Sequence, residues 1–300
     1  MLQSLNCGVM GAGVFGGHHA RKYAAIAGAR LAAVYDPTLA RAQALAESLG
    51  GEGFDDLDAF LARVDVVTVA SPADTHAPLA LKALAAGRHV YVEKPVATTL
   101  DEGRAMVALA AEKGLVLACG HQERMTFQAM GLFALPERPL RIESVRRGLP
   151  SERNRDVSCA PDLMIHDLDL AVALAKTPFE TVDASGAYDE IVAEVGFAGG
   201  MSARFEASRI ASARERTMRL VFASGVVEVD FLAPSFRNTT PHALNPDFAS
   251  TEDGKDPLGR CVAGFIAVVR GEAARPPATG FDGLKALELS LAVERSVGLI

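Results

Sequence analysis

The chain has 300 residues, enough for two domains with separate cores. Apolar residues make up 49 % and charged residues 22 %, an ordinary soluble globular composition, and no apolar run approaches the ~20 residues that span a bilayer. A net charge of −7 argues against a nucleic-acid partner, whose phosphates call for basic excess. The chain opens without the basic-then-apolar pattern of a secretory signal. Its four cysteines, Cys7, Cys119, Cys159 and Cys261, are far apart with no C-x-x-C pair. Buried, reduced thiols in a cytoplasmic protein are expected, with no metal site and no disulfide framework.

Leu5–Met10 reads as a short buried strand that runs into Gly11-Ala12-Gly13-Val14-Phe15-Gly16 and a helix over 18–27. In such a turn the first glycine permits the tight bend and the second admits a pyrophosphate to the backbone. The third lets helix pack on strand, and the diphosphate rests on the N–H groups that open the helix. A second strand, Ala29–Tyr35, ends on Asp36, 20 residues past Gly16, where a carboxylate bonds the hydroxyls of an adenosine ribose. A glycine run alone is a weak signal, but with Asp36 it specifies a dinucleotide site. Asp36 would repel a 2′-phosphate, so NAD is expected over NADP, although Thr38 and Arg41 leave some room for the phosphate.

Alternation then continues: helices over 39–49 and 55–62, a strand over 64–70, a helix over 77–86, the strand His89–Val92, a helix over 100–113 and a strand over 115–119. This pattern predicts a parallel, doubly wound sheet. Beyond 120 the pattern changes. Residues 122–133 look helical, 140–147 extended and 161–175 helical. Strands are predicted over 181–188, Glu190–Phe197, 201–208, 217–223 and 226–231, with turns at Gly199-Gly200 and Ser224-Gly225, as in an antiparallel meander. Helices over 257–270 and 281–297 flank Arg275-Pro276-Pro277. The predicted fold is α/β: a Rossmann dinucleotide-binding domain over 1–120, then an α+β domain over 121–300 with an open antiparallel sheet. The terminal helix is allowed to pack back on the first domain. The outer face of the open sheet needs cover, which a second subunit would supply.

Three segments carry candidate chemistry. Ser71, Pro72 and His76 follow a predicted strand at the carboxyl edge of the parallel sheet, where they would wall the nicotinamide ribose; as structure alone they are a proline turn and a helix start. Glu93-Lys94-Pro95 follows the next strand at the same edge, where ligands of such sheets bind. There Lys94 would bond a substrate hydroxyl and stabilise its developing alkoxide, unless it is a solvated surface lysine. In Asp162-Leu163-Met164-Ile165-His166-Asp167-Leu168-Asp169, an α-helix would bring Asp162 and His166 onto one face at i, i+4. A carboxylate beside an imidazole fixes its tautomer and raises its basicity, whereas a capping Asp162 and a core His166 are the structural alternative.

These motifs, taken in order with His19, resemble the glucose–fructose oxidoreductase, inositol dehydrogenase and rhizopine catabolism family of nicotinamide-dependent enzymes. The resemblance covers nearly the whole chain. It implies a homodimer or homotetramer joined through the open sheet and a cis Lys94–Pro95 bond. It also implies Lys94 on the reacting hydroxyl and the cofactor, His166 as general acid/base, and Asp162 supporting both. Gly11, Gly13, Val14, Phe15, Gly16, Asp36, Ser71, Pro72, His76, Glu93 and Lys94 are then the cofactor-binding set. Gly120-His121-Gln122-Glu123-Arg124-Met125 and the stretch from Leu163 to Asp169 are similar to those of nucleotide-sugar members acting on UDP-N-acetylglucosamine and its uronate. Met125 and Pro161 depart from that branch. Candidates for substrate contact are Glu123, Arg124, Arg155 and Asp169. The expected activity is NAD-dependent oxidation of a secondary hydroxyl on a sugar, a nucleotide-activated amino sugar. A dehydrogenase of a free sugar or polyol and a non-catalytic ligand sensor are the alternatives.

Overall fold

The computed structural model describes residues 4–150 and 157–300. They form two compact units, Met1–Gln122 with Leu258–Leu284, and Glu123–Pro257 with Lys285–Ile300. The first unit alternates strand and helix: β1 Leu5–Met10, α1 Val14–Ala25, β2 Ala29–Tyr35, α2 Leu39–Glu47, β3 Glu52–Phe54, α3 Leu57–Leu61, β4 Val66–Val69, α4 His76–Ala85, β5 His89–Val92, α5 Leu100–Glu112 and β6 Leu117–Cys119. Every pairing is parallel and the order is β3-β2-β1-β4-β5-β6, so the strand order reverses beside β1, the point at which such sheets bind ligands. β4 is buried at all its positions, as a strand covered on both faces must be. Helix starts follow local chemistry: Asp56 caps α3 by accepting from Ala59 N, and Thr99 and Glu102 form a reciprocal capping box on α5. The three-residue β3 escaped the sequence reading, because its pairing with β2 rather than any apolar run makes it a strand.

In the second unit α6 Glu123–Met130, β7 Arg141–Arg147, α7 Ile165–Ala175, β8 Phe179–Ala187, β9 Glu190–Phe197, β10 Ser202–Ser208, β11 Glu215–Phe222, β12 Gly225–Asp230 and β13 Ser235–Asn238 follow in order. The sheet runs β13-β12-β11-β7-β10-β9-β8. The expected meander is therefore interrupted: β7 inserts between β10 and β11, parallel to the first and antiparallel to the second. Alternation within a strand reveals which face is buried but not which strand lies alongside, so this insertion is invisible in the sequence. The inner face carries Ile142, Phe205, Met218 and Leu220, buried against Leu168 of α7.

The short α8 Glu252–Lys255 precedes α9 Pro257–Val269 and α10 Gly280–Ser296. Residues 258–284 fold with the first unit, where Phe265 meets Tyr91 edge-on at 5.9 Å and Cys119 N donates to Ala278 O at 3.1 Å. Leu289 and Val293 belong to the core of the second unit.

The outer face of the larger sheet corrects an expectation. It carries charge rather than an apolar surface needing cover. One row of ion pairs crosses four strands through Glu194, Arg141, Glu143, Arg219 and Glu228, at separations of 2.9–3.5 Å. These pairs are partly exposed, so each contributes at most about 1 kcal/mol, but they keep the face wettable. The four cysteines are buried thiols, and burial pushes Cys7 and Cys159 up to about 12, which makes them poor nucleophiles. No helix among the described residues is long and apolar enough to cross a membrane.

Candidate active site

In the first unit the loops at the carboxyl ends of β1, β2, β4 and β5 make the site. The three glycines after β1 have three different reasons to be glycine. Gly11 has φ +104°, where side chains are disfavoured, and a Cβ there would meet Ala70 O at 2.7 Å. At Gly16 a Cβ would collide with the Gly11 carbonyl, so the close approach of α1 to the turn requires its absence. Gly13 has φ −79° and nothing within 4 Å of the Cβ position, so neither backbone nor packing excludes a side chain. The open space beside Gly13 fits a pyrophosphate against the backbone. α1 begins there with no side-chain cap and no acidic residue in its first turn, which leaves an N-terminus suited to an anion. Val14 and Phe15 are exposed on that first turn. Asp36, at the end of β2, accepts from Ala12 N and Thr38 N, both at 2.9 Å, which ties the glycine loop to the strand end where a ribose would lie. These groups fit a dinucleotide.

Two contrasting substitutions test the glycines. Gly13→Val is expected to keep the wild-type melting curve while weakening NADH binding at least about tenfold, the cost of an overpacked contact with the ligand. Gly16→Ala is expected to cost about 1–3 kcal/mol of stability, because its clash is with protein. Thermal unfolding and NADH fluorescence titration separate the two effects.

Lys94 stands at the end of β5, half-buried, and the Lys94–Pro95 bond is cis, as expected. Ser71 accepts from the Thr75 hydroxyl at 2.6 Å, and Pro72 is exposed beside it. Two further residues of the expected cofactor-binding set, His76 and Glu93, are buried behind these loops. His76 is 2 % exposed, and its ring nitrogens lie 2.7 Å from Pro95 O and 3.0 Å from Ser71 O. It braces the loop after β4 against the loop after β5. Burial pushes its pKa below the ordinary histidine value, although both carbonyls favour the protonated ring. Glu93 is buried and bonded to His19 Nε2 at 2.7 Å. Burial raises the Glu93 carboxyl, but the His19 hydrogen bond and the charges of His19, Lys94 and His76 hold it below the usual carboxylate range. Glu93 and His76 thus tie the chain on either side of Lys94 to protein groups. At the opposite edge of the sheet, a polar hollow is spanned by Arg30–Asn6 at 2.8 Å and Arg63–Glu52 at 3.1 Å. It lies away from every loop named above.

In the second unit the carboxylate bonded to His166 is not the one four residues before it. Ala160–Met164 is a π-helical turn, and α7 proper starts at Ile165, so the i, i+4 spacing argued for a continuous α-helix does not hold across Asp162 and His166. Asp162 accepts from Arg209 at 3.5 Å, and Arg209 also grips Asp189 at 2.7 Å. The carboxylate bonded to His166 Nδ1 is Glu123 Oε2, at 2.7 Å. Burial raises the Glu123 carboxyl, but the charges of His166 and Arg146 hold it well below the usual carboxylate range. An ionised Glu123 can only accept, so the neutral ring carries its proton on Nδ1 and presents the basic lone pair on Nε2.

Glu123, Arg124 and Asp169, assigned to the substrate, are committed to protein contacts. Arg124 and Asp169 form a buried bidentate pair at 2.6 and 2.7 Å. Glu123 also accepts from Arg146 at 3.2 Å. Arg146 in turn grips Asp167 with two bonds of 2.8 and 2.9 Å and lies over Phe231 at 5.8 Å. Arg155 lies outside the described residues. The sequence reading missed Arg146 and Asp167, although one signal was present: Arg146 follows Ile142 and Ser144 at the buried positions of β7, and an inward arginine must have carboxylates.

A parallel sheet with its glycine turn at the switch point, an acidic end to β2 and a lysine at the end of β5 defines an oxidoreductase with an NAD-binding Rossmann fold. Residues 5–121 match the profile of that family, described as the oxidoreductase family with NAD-binding Rossmann fold. The UDP-N-acetylglucosamine 3-dehydrogenase of Acidithiobacillus ferrooxidans is 35 % identical over 238 residues, 76 % of this chain and 74 % of that protein. Its crystal structure superposes with a TM-score of 0.89 at 30 % identity, covering 100 % of this chain and 99 % of the other. An inositol 2-dehydrogenase of Rhizobium meliloti is 28 % identical over 97 % of this chain and 96 % of its own. The chain belongs to the glucose–fructose oxidoreductase, inositol dehydrogenase and rhizopine catabolism family of NAD-binding sugar and polyol dehydrogenases.

Proposed function

We propose that the protein oxidises a secondary hydroxyl of a nucleotide-activated amino sugar, UDP-N-acetylglucosamine in the first instance, with NAD as the preferred cofactor. The observation that carries the reaction is the Glu123–His166 pair, which fixes a neutral imidazole in the tautomer that can accept a proton. The likeness to a UDP-N-acetylglucosamine 3-dehydrogenase over most of both chains supports the substrate. His166 Nε2 would take the hydroxyl proton. The Lys94 ammonium would donate a hydrogen bond to a substrate oxygen and stabilise its developing negative charge. Asp162, held by Arg209, would support these groups electrostatically. Gly11, Gly13 and the opening turn of α1 would hold the dinucleotide diphosphate, Asp36 the adenosine ribose, and Ser71 and Pro72 the nicotinamide side. Bound nicotinamide supplies the hydride acceptor.

The test is oxidation of UDP-N-acetylglucosamine, N-acetylglucosamine and myo-inositol with NAD, followed by the absorbance of NADH. Turnover of the nucleotide sugar alone supports the proposal, and turnover of inositol alone removes its substrate. Asp36 sets a second expectation: a 2′-phosphate within a few ångströms of its carboxylate costs about 1–4 kcal/mol. NADH should therefore bind at least about tenfold tighter than NADPH, and Asp36→Ser should narrow the gap. Equal affinities measured by titration calorimetry would remove the preference.

We also place the protein in the cytoplasm, where buried thiols stay reduced, as a dimer or tetramer meeting through the charged sheet face. Rows of alternating sign can pair with a rotated copy of themselves. Sedimentation as a monomer would exclude that assembly.

A further inference from the structure

Arg216 occupies β11 directly opposite Arg146 of β7, two positions before Met218 on the inward-facing side of the strand. Arg146 is buried in the network that reaches His166 through Glu123. Arg216 belongs to the same face but is exposed, and among the described residues it makes no ion pair. The two carboxylates that act on Arg216 are already engaged, Asp167 by Arg146 and Glu123 by Arg146 and His166. Arg214, two residues earlier, is also exposed. Desolvation at the sheet face and the like charges of Arg146 and Arg214 push the Arg216 guanidinium below the ordinary arginine pKa, against the attraction of Glu123 and Asp167. A cation held among like charges, with no carboxylate of its own, is stabilised when an anion arrives.

We propose that Arg216 receives an oxyanion of the substrate, its field reinforced by Arg214, in the same face of the second unit as the His166 network. Resting on the function proposed above, that oxyanion is the diphosphate of the nucleotide sugar. A guanidinium presents two parallel N–H donors that match two phosphate oxygens, and among the described residues Arg216 makes no ion pair that binding would have to break. Arg216 would thus distinguish an activated sugar from a free one, while His166 acts on the hydroxyl.

Titration calorimetry on the NADH-loaded full chain tests this with three probes: UDP-N-acetylglucosamine, neutral N-acetylglucosamine and glucuronate. Arg216→Gln is expected to weaken UDP-N-acetylglucosamine about 10- to 100-fold, the value of a charge-assisted hydrogen bond, and Arg216→Lys to recover part of it. NADH affinity should not change. If Arg216→Gln binds UDP-N-acetylglucosamine as the wild type does, the role of Arg216 is overturned and the nucleotide-sugar reading stands. If the wild type ignores the UDP-sugar but binds glucuronate through Arg216, the nucleotide-sugar reading falls and Arg216 keeps its role with a carboxylate. Binding of the neutral sugar alone, or of none of the three, overturns both. Circular dichroism checks the fold of each variant; should Arg216→Gln not fold, Arg216→Lys is read in its place, and undiminished binding there overturns the proposal.

Discussion

Replacing His166 by alanine is expected to lower kcat at least about 100-fold on the nucleotide sugar that the wild type oxidises, because a positioned base contributes about 10²–10⁴-fold. NADH affinity should remain near normal, since His166 acts on the substrate oxygen and the adenosine end is held by Asp36. Lys94→Ala is expected to show a loss of the same order, for the lost stabilisation of negative charge on the substrate. Glu123→Gln is the more discriminating variant. Its amide can still bond the ring, but it can donate as well as accept and no longer selects the Nδ1–H tautomer. The acidic limb of the kcat/KM profile should then move to lower pH, since the carboxylate that favours the protonated imidazole is gone. If His166→Ala retained near-normal kcat with its circular dichroism spectrum intact, His166 would be a packing residue.

Removing Arg146 is expected to produce the largest loss of stability. Arg146→Ala would leave Asp167 as an uncompensated buried carboxylate and take from Glu123 its arginine, a change that typically costs about 3–5 kcal/mol. Denaturant titration should show the midpoint falling accordingly. The double variant Arg146→Met with Asp167→Leu should recover much of that loss, because the penalty comes from the unpaired charge rather than from missing attraction. Without that recovery, shape rather than charge would be what the network supplies.

The same network predicts the direction of acid unfolding. In the folded protein Glu123 titrates well below the ordinary glutamate range, so its contribution is fully present above that range. It is lost progressively as the pH falls from there through the folded pKa, since the unfolded chain binds the proton first. Glu123→Gln should flatten that part of the stability–pH curve.

The parallel half of the molecule was legible because its signals are local. An apolar strand, a glycine turn and an acidic residue at the end of the next strand lie within Leu5–Asp36, and each obeys a constraint set by its neighbours in the chain. The sequence pattern alone assigns roles to Gly11, Gly13 and Gly16. The structure adds that a Cβ at Gly16 would collide with the Gly11 carbonyl, whereas the space beside Gly13 is open. The carboxylate paired with His166 was not legible. Asp162 was favoured because it lies four residues away in sequence, whereas Glu123 lies 43 residues away and reaches the ring only through the packing of α6 against α7. A π-helical turn, which no propensity announces, removed the premise for Asp162.

The sequence by itself determined the class of element at nearly every position, the dinucleotide turn, and the lysine at the end of β5. Periodicity and turn chemistry act over a few residues and suffice for these. Tertiary structure alone decided that β7 lies between β10 and β11, that residues 258–284 complete the first unit, and that Glu123 serves His166 while Arg124 and Asp169 serve each other. Each of these is a choice among chemically equivalent partners: any exposed strand edge can pair, and any carboxylate can hold a histidine or an arginine. Only the burial of one particular set of surfaces selects which of them meet.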